Sequence, residues 1–116
     1  MDNQLLKATA ASLDELAIVI HETAWNKGFY EGAPDTPIEV GDPSWRPAKL
    51  ALVHSEVSEA LEALRNGDAE NYVEELADII IRVLDLAEFD GLEIGHAVVQ
   101  KMFKNMDRPR LHGRKF

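Results

Sequence analysis

Apolar side chains recur at helical spacing in four stretches of the chain, and no stretch alternates convincingly with the two-residue period of a strand. The first helix is expected to start near Ser12, where Ser12-Leu13-Asp14-Glu15 reads as a capping box. Leu13, Leu16, Ala17, Ile20 and Ala24 follow on one face, and Gly28 supplies the stop. A second helix is expected from about Pro47 to Asn66, with Ser44 as a candidate cap. A third follows Asp68 and ends at Phe89, before Asp90-Gly91. A fourth covers about Leu92 to Asn105. The link at residues 66–68 is short, so the second and third helices should form an antiparallel hairpin. The pattern therefore predicts an all-α, four- to five-helix fold in a single domain over residues 1–116. A loop at 28–45 and a basic tail at 106–116 complete it.

The loop carries three prolines and three glycines together with Phe29, Tyr30 and Trp45. A connection of that length with three large aromatics is more than a spacer.

Placing side chains at about 100° per residue exposes a conflict in the second helix. Leu50, Val53, Val57, Ala60, Leu61 and Leu64 make one apolar stripe, yet Glu56 falls inside the apolar arc and Glu59 at its edge. A lone carboxylate in such a position costs several kcal/mol or takes up a proton, so something positive should compensate. The third helix has a very wide apolar arc. Opposite it runs one narrow stripe of Glu75, Asp78, Arg82 and Asp85. Taken alone that stripe is a solvated face. Turned toward Glu56 and Glu59 across the hairpin, it would complete a cluster of hard oxygen ligands suited to Mg²⁺ or Mn²⁺.

Charge sharpens the picture. Of 116 residues, 21 are acidic and 12 basic, for a net charge of −9. Residues 1–100 hold 20 acidic and 6 basic side chains, a balance of −14; residues 101–116 hold 1 and 6, a balance of +5. An acidic body argues against binding duplex nucleic acid. The basic tail either folds against that body or holds a small polyanion. With no cysteine there is no disulfide framework and no thiolate zinc site. The N-terminus lacks the pattern of a secretory leader, and no apolar run reaches the ~20 residues of a membrane span. The cytoplasm is the expected compartment. The four histidines, His21, His54, His96 and His112, are scattered and read as surface or packing residues.

Glu56-Val57-Ser58-Glu59 followed by Glu75-Leu76-Ala77-Asp78 resembles the Glu-x-x-Glu…Glu-x-x-Asp signature of the MazG-like, all-α nucleoside triphosphate pyrophosphohydrolases. The ending from Lys101 to Asn105, with Arg108-Pro109 and His112-Gly113-Arg114-Lys115-Phe116, is similar to small MazG-like proteins of bacteria and phages. The resemblance covers roughly residues 46–116. It implies cleavage of a nucleoside triphosphate between the α and β phosphates, with Glu56, Glu59, Glu75 and Asp78 as Mg²⁺ ligands. Lys101 and Asn105, one turn apart, match residues near the phosphates, and Arg108 and Arg114 are further candidates. His21, Trp25, Phe29 and Trp45 are candidates for contacting the base, with core packing as the alternative for the aromatics. Catalysis would fall to Glu56, Glu59 and Lys101.

Some relatives carry a further Glu before the first motif acid, where this chain has Ser55, which leaves the general base open. The resemblance also implies a homodimer or homotetramer built around an intersubunit helical bundle, in the cytoplasm of a bacterial or phage-infected cell. Two alternatives stay open. One is a phosphoribosyl-ATP pyrophosphohydrolase, against which Arg82 stands where that relative would have His. The other is a non-catalytic acidic helical module.

Overall fold

The computed structural model describes residues 3–115, apart from the His112 side chain. The reading of His112 as a surface or packing residue, and the final Phe116 of the C-terminal motif, fall outside the described residues. Four α-helices make up the architecture: α1 (Asn3–Asn26), α2 (Trp45–Arg65), α3 (Ala69–Phe89) and α4 (Ile94–Met106). Short 3-10 turns at Ile38–Val40 and Arg110–Gly113 punctuate the loop and the tail. No strand occurs among the described residues.

α2 and α3 pack as a hairpin along their length, α1 lies on α3, and α4 lies on α1. Helices therefore follow one another across the molecule in the order α2, α3, α1, α4, as an open array rather than a closed bundle. The radius of gyration is 16.5 Å, against about 13 Å for a compact chain of this length.

Local chemistry explains the ends of the helices. Gly67, at φ 67°, makes the turn between α2 and α3, and Asp68 caps α3 by accepting from the Asn71 amide at 3.1 Å. At the start of α2, Ser44 makes no side-chain cap. The capping residue is Asp42, whose carboxylate accepts from the amides of Ser44, Trp45 and Arg46 at 3.1, 3.0 and 2.6 Å. Those three hydrogen bonds hold the Asp42 carboxyl below its ordinary pKa. Arg46 then clamps the loop by donating to Asp90 at the end of α3 and to the Thr36 carbonyl.

α1 departs most from the sequence pattern. It begins at Asn3, so Ser12 and Asp14 lie mid-helix and the capping-box reading fails. Asp14 is committed elsewhere: it accepts from the Gly95 amide and pairs with His96 Nδ1, both at 2.6 Å. A carboxylate at the first turn of α4 satisfies an otherwise orphaned amide and the helix dipole. The helices cross so closely that a Cβ on Gly95 would collide with the Ala10 carbonyl, which is why glycine stands there.

The core consists of small residues: Ala10, Ala17, Ala60, Ala63, Ala87, with Leu84 and Tyr30. The aliphatic stripe expected to be core on α2 is not. Leu50, Val57, Leu61 and Leu64 are exposed, as are Val73, Leu76, Ile80, Ile81 and Val83 of α3. The two helices meet through alanines and charged side chains, and their larger apolar residues point outward.

Candidate metal and polyphosphate site

The stripe that resembled a solvated face turns inward. Glu56 is 7 % exposed and Glu75 9 %, and Asp78, Arg82 and Asp85 are half-buried. The hairpin brings one carboxylate oxygen each from Glu56, Glu75 and Asp78 within 4.8 Å of one another. Glu59 is exposed at the edge of this triangle, close enough to add its charge to Glu75.

Two responses to this crowding are visible. Arg82 Nε donates to Glu56 Oε1 at 2.9 Å and supplies the positive charge that a buried carboxylate requires. Glu56 and Glu75 also share a hydrogen bond that separates their acidities. The bond to Glu75 and the Arg82 guanidinium hold the Glu56 carboxyl below the usual range. The same bond, with burial and the charge of Glu59, pushes Glu75 up to about 7. Two carboxylates sharing one proton is the expected state of such a pair without a cation. Glu75 Oε2 is nevertheless buried with no hydrogen-bond partner. A buried carboxylate with an unpaired oxygen, in a cluster with two other acids, fits a divalent cation with an oxygen shell.

This cluster opens into a cavity of about 460 Å³ between α1, α2 and α3, large enough for a small ligand. Val19, Ile20, Thr23 and Ala24 form its apolar wall, and Glu56, Asp78, Asp85 and Arg82 line its acidic part. Lys27, Phe29 and Lys49 also border it. Asp85 accepts from His21 Nδ1 at 2.8 Å and from the Tyr30 hydroxyl. Burial and that carboxylate raise the Tyr30 pKa, so the phenol stays protonated.

Tyr30 is the hub of an aromatic cluster. His21 packs edge-on against it at 4.6 Å, Phe89 stacks at 4.9 Å, and Trp45 lies at 5.4 Å. Trp25 stacks at 6.2 Å with its other face exposed. Of the four residues expected near a base, His21 and Trp45 are thus drawn into packing. Phe29, 66 % exposed, borders the cavity.

Lys101 and Asn105 stand elsewhere. They line a separate groove of about 380 Å³ on α4, with Ile94, Ala97, Val98 and Met102. Asn105 Oδ1 is buried there without a partner. Arg108 and Arg114 are exposed in the tail and do not border the acidic cavity. Within one chain the acids are brought together, and the C-terminal cation and amide are not brought to them. Sequence reasoning missed Asp85, Lys27 and Lys49 as cavity residues. Only Asp85 left a signal, as the fourth member of the charged stripe on α3.

No helix among the described residues is long and apolar enough to cross a membrane. No curated protein and no solved structure matches the chain. Residues 47–112, which include all four motif acids as well as Lys101, Asn105 and Arg108, match the MazG nucleotide pyrophosphohydrolase domain, and the chain belongs to that family.

Proposed function

We propose that this protein hydrolyses a nucleoside triphosphate at the α–β phosphoanhydride, releasing a nucleoside monophosphate and pyrophosphate, with Mg²⁺ as cofactor and Mn²⁺ as a substitute. The observation that carries the reading is the triangle of Glu56, Glu75 and half-buried Asp78, with an unpaired, buried Glu75 oxygen. It opens on a cavity that also presents cations. The family match supports a nucleotide as the substrate class.

Glu56, Glu75 and Asp78 would hold the cation, with Glu59 completing the shell from the rim. Such an ion neutralises phosphate oxygens and acidifies the attacking water. The residues of the chain do the rest. Arg82 donates to Glu56 Oε1 and keeps that carboxyl ionised, the form that a cation needs as a ligand. Ser55 is not the base, because its hydroxyl donates to the Leu52 carbonyl of its own helix at 2.7 Å. Glu59, exposed and next to the triangle, is the carboxylate best placed to accept the proton of the water. The apolar wall from α1 and the exposed ring of Phe29 receive the base.

Lys101, Asn105, Arg108 and Arg114 reach phosphate in this reading by serving the cavity of another copy, within a homodimer or homotetramer. The exposed aliphatic flanks of α2 and α3 support that assembly. The total accessible surface of 8681 Å² exceeds the ~6300 Å² of a compact monomer of 13.0 kDa. A surplus of about 2400 Å² per chain is on the scale of an obligate interface.

The test is product analysis over a panel of ribo- and deoxyribonucleoside triphosphates with Mg²⁺ or EDTA. Monophosphate and pyrophosphate in equal amounts, with Mg²⁺ only, is the expected result. Orthophosphate release, or no turnover by folded protein on any member of the panel, contradicts the reading.

A further inference from the structure

The cavity is bipolar. One part is lined by Glu56, Asp78 and Asp85, and its boundary also holds two lysines, Lys27 at the end of α1 and Lys49 on α2. Among the described residues neither lysine has a carboxylate within ion-pair distance, although the molecule carries an excess of acids. Arg82, the third cation of the cavity, is paired with Glu56.

Lys49 is also held in place. Its Nζ lies 5.0 Å from the ring centroids of both Tyr30 and Trp45 and donates to the Phe29 carbonyl at 3.4 Å, a long hydrogen bond. Two aromatic faces hold the ammonium by cation–π attraction while leaving it donors for another ligand. Lys49 precedes Glu56 by seven residues, so both lie on one stripe of α2, two turns or ~10 Å apart along the axis. A metal–polyphosphate complex has the matching polarity: a cation at one end and uncompensated phosphate oxygens at the other.

We infer that Lys49 is a phosphate-binding residue of this cavity, gripping the polyphosphate end that the metal does not neutralise, with Lys27 as an outer second cation. This assignment rests on the proposed metal-dependent reading of the site. It gives the chain a phosphate contact of its own, distinct from Lys101 on α4. Lys49 is a binding residue, and the acids keep the chemistry. Loss of its ammonium is expected to raise KM for the nucleotide about tenfold with little change in kcat, the signature of an interaction present equally in ground and transition states.

The test uses inorganic tripolyphosphate, which has no base and so isolates the phosphate contacts. Binding to the full-length protein is followed with Mg²⁺ by calorimetry. It is followed in parallel by fluorescence in a Trp25→Phe background, where Trp45 is the only tryptophan left. The variants are Lys49→Met, which keeps the apolar stem over the rings, Lys49→Arg, and Lys7→Ala as an equal change of charge on α1. Mg²⁺ binding alone is measured for each.

The expected result is that Lys49→Met binds Mg²⁺ normally and tripolyphosphate at least tenfold more weakly. Lys49→Arg should recover most of the affinity, Lys7→Ala should match the parent, and tripolyphosphate should perturb Trp45. Unchanged tripolyphosphate affinity in Lys49→Met, with Mg²⁺ binding intact, overturns the assignment of Lys49 and leaves the metal reading standing. Failure of the parent protein to bind Mg²⁺ overturns that reading, and the assignment with it.

Discussion

α3 presents two unlike flanks, and each faces the side that elementary burial rules would give to the other. Its carboxylates and Arg82 face α2 and α1, where Glu75 is buried. Val73, Leu76, Ile80, Ile81 and Val83 face solvent, with Ile80 54 % exposed, while Leu84 is buried. α2 repeats the exchange, with Glu56 buried and Leu64 58 % exposed. A helix that hides charge and displays hydrocarbon is unfavourable on both counts in an isolated chain. The exchange becomes sensible if the inner flank meets a cation and the outer flank meets protein. α1 and α4 also display apolar side chains, Val19 and Met106 among them, but the contact between these two helices hides no uncompensated charge. They meet through Ala10 and Gly95, and the half-buried acid at their contact, Asp14, is engaged by the Gly95 amide and His96. The difference is that the acid at the α1–α4 contact has its partners within the chain, whereas Glu75 Oε2 at the α2–α3 contact has none.

The comparison breaks most sharply at Glu75. Glu75→Gln keeps the shape and removes a ligand, so turnover should fall by about a thousandfold or more. The same change removes a crowded charge, so the protein without metal should melt no lower than the parent at pH 8. Steady-state kinetics and a melting curve in EDTA check both halves; a variant that loses its fold together with its activity would mean that Glu75 is structural.

The outer flank is tested next by Ile80→Asp. A charge in the middle of an intersubunit contact should weaken assembly by about 2–4 kcal/mol, a thirtyfold or larger rise in the dissociation constant. Analytical ultracentrifugation is expected to show the parent as a dimer or tetramer and the variant shifted to monomer. An unshifted mass would remove the outer flank from the interface.

The α1–α4 contact provides the contrast. Gly95→Ala should cost about 1–3 kcal/mol by forcing α4 off α1, readable as a lower urea midpoint. It should leave Mg²⁺ binding at the α2–α3 triangle unchanged, and a lost metal site would show that the halves are not independent.

Acidity gives a finer test. The Glu75 carboxyl, raised to about 7 from its ordinary 4.5, holds its proton better in the folded chain than in the unfolded one. That advantage is fully present below about pH 4.5 and is lost as pH rises through 7. Glu56, with its acidity shifted the other way, contributes stability that is present at ordinary pH and lost only on strong acidification. In EDTA the melting temperature should therefore decline between pH 5 and pH 8, and more steeply than in Glu75→Gln. Equal slopes would dissociate that decline from Glu75.

The smallest effect is expected at Arg82. Its side chain is 39 % exposed, so the pair with Glu56 is discounted for solvent and Arg82→Ala should cost roughly 1 kcal/mol in EDTA. Saturating Mg²⁺ should erase most of the loss, because the cation then supplies the charge that Glu56 needs. A deficit that persists unchanged with Mg²⁺ would make Arg82 a packing residue.

Much of this was legible in the sequence where the signal is local. Gly67 and Asp68 fix the α2–α3 turn, and helical periodicity at about 100° per residue placed Glu56 inside an apolar arc, where it is buried. The start of α1 was not legible, because Ser12 and Asp14 carry a capping signature while Asp14 serves Gly95, 81 residues away. Ser44 concealed the capping role of Asp42 because a loop conformation, not spacing, decides which carboxylate reaches three amides. The direction of the α3 stripe was ambiguous for a related reason: periodicity defines a face without saying what it faces. Lys49 left no signal, since its place over Tyr30 and Trp45 depends on the folded loop.

The most direct measurement is Mg²⁺ titration of the nucleotide-free protein at pH 8, by calorimetry, beside Glu75→Gln. The account predicts saturable binding by the parent, with a raised melting temperature, and its loss in the variant. Equal and non-saturating responses from both proteins would contradict it and would leave the inward acids as a surface that happens to be crowded.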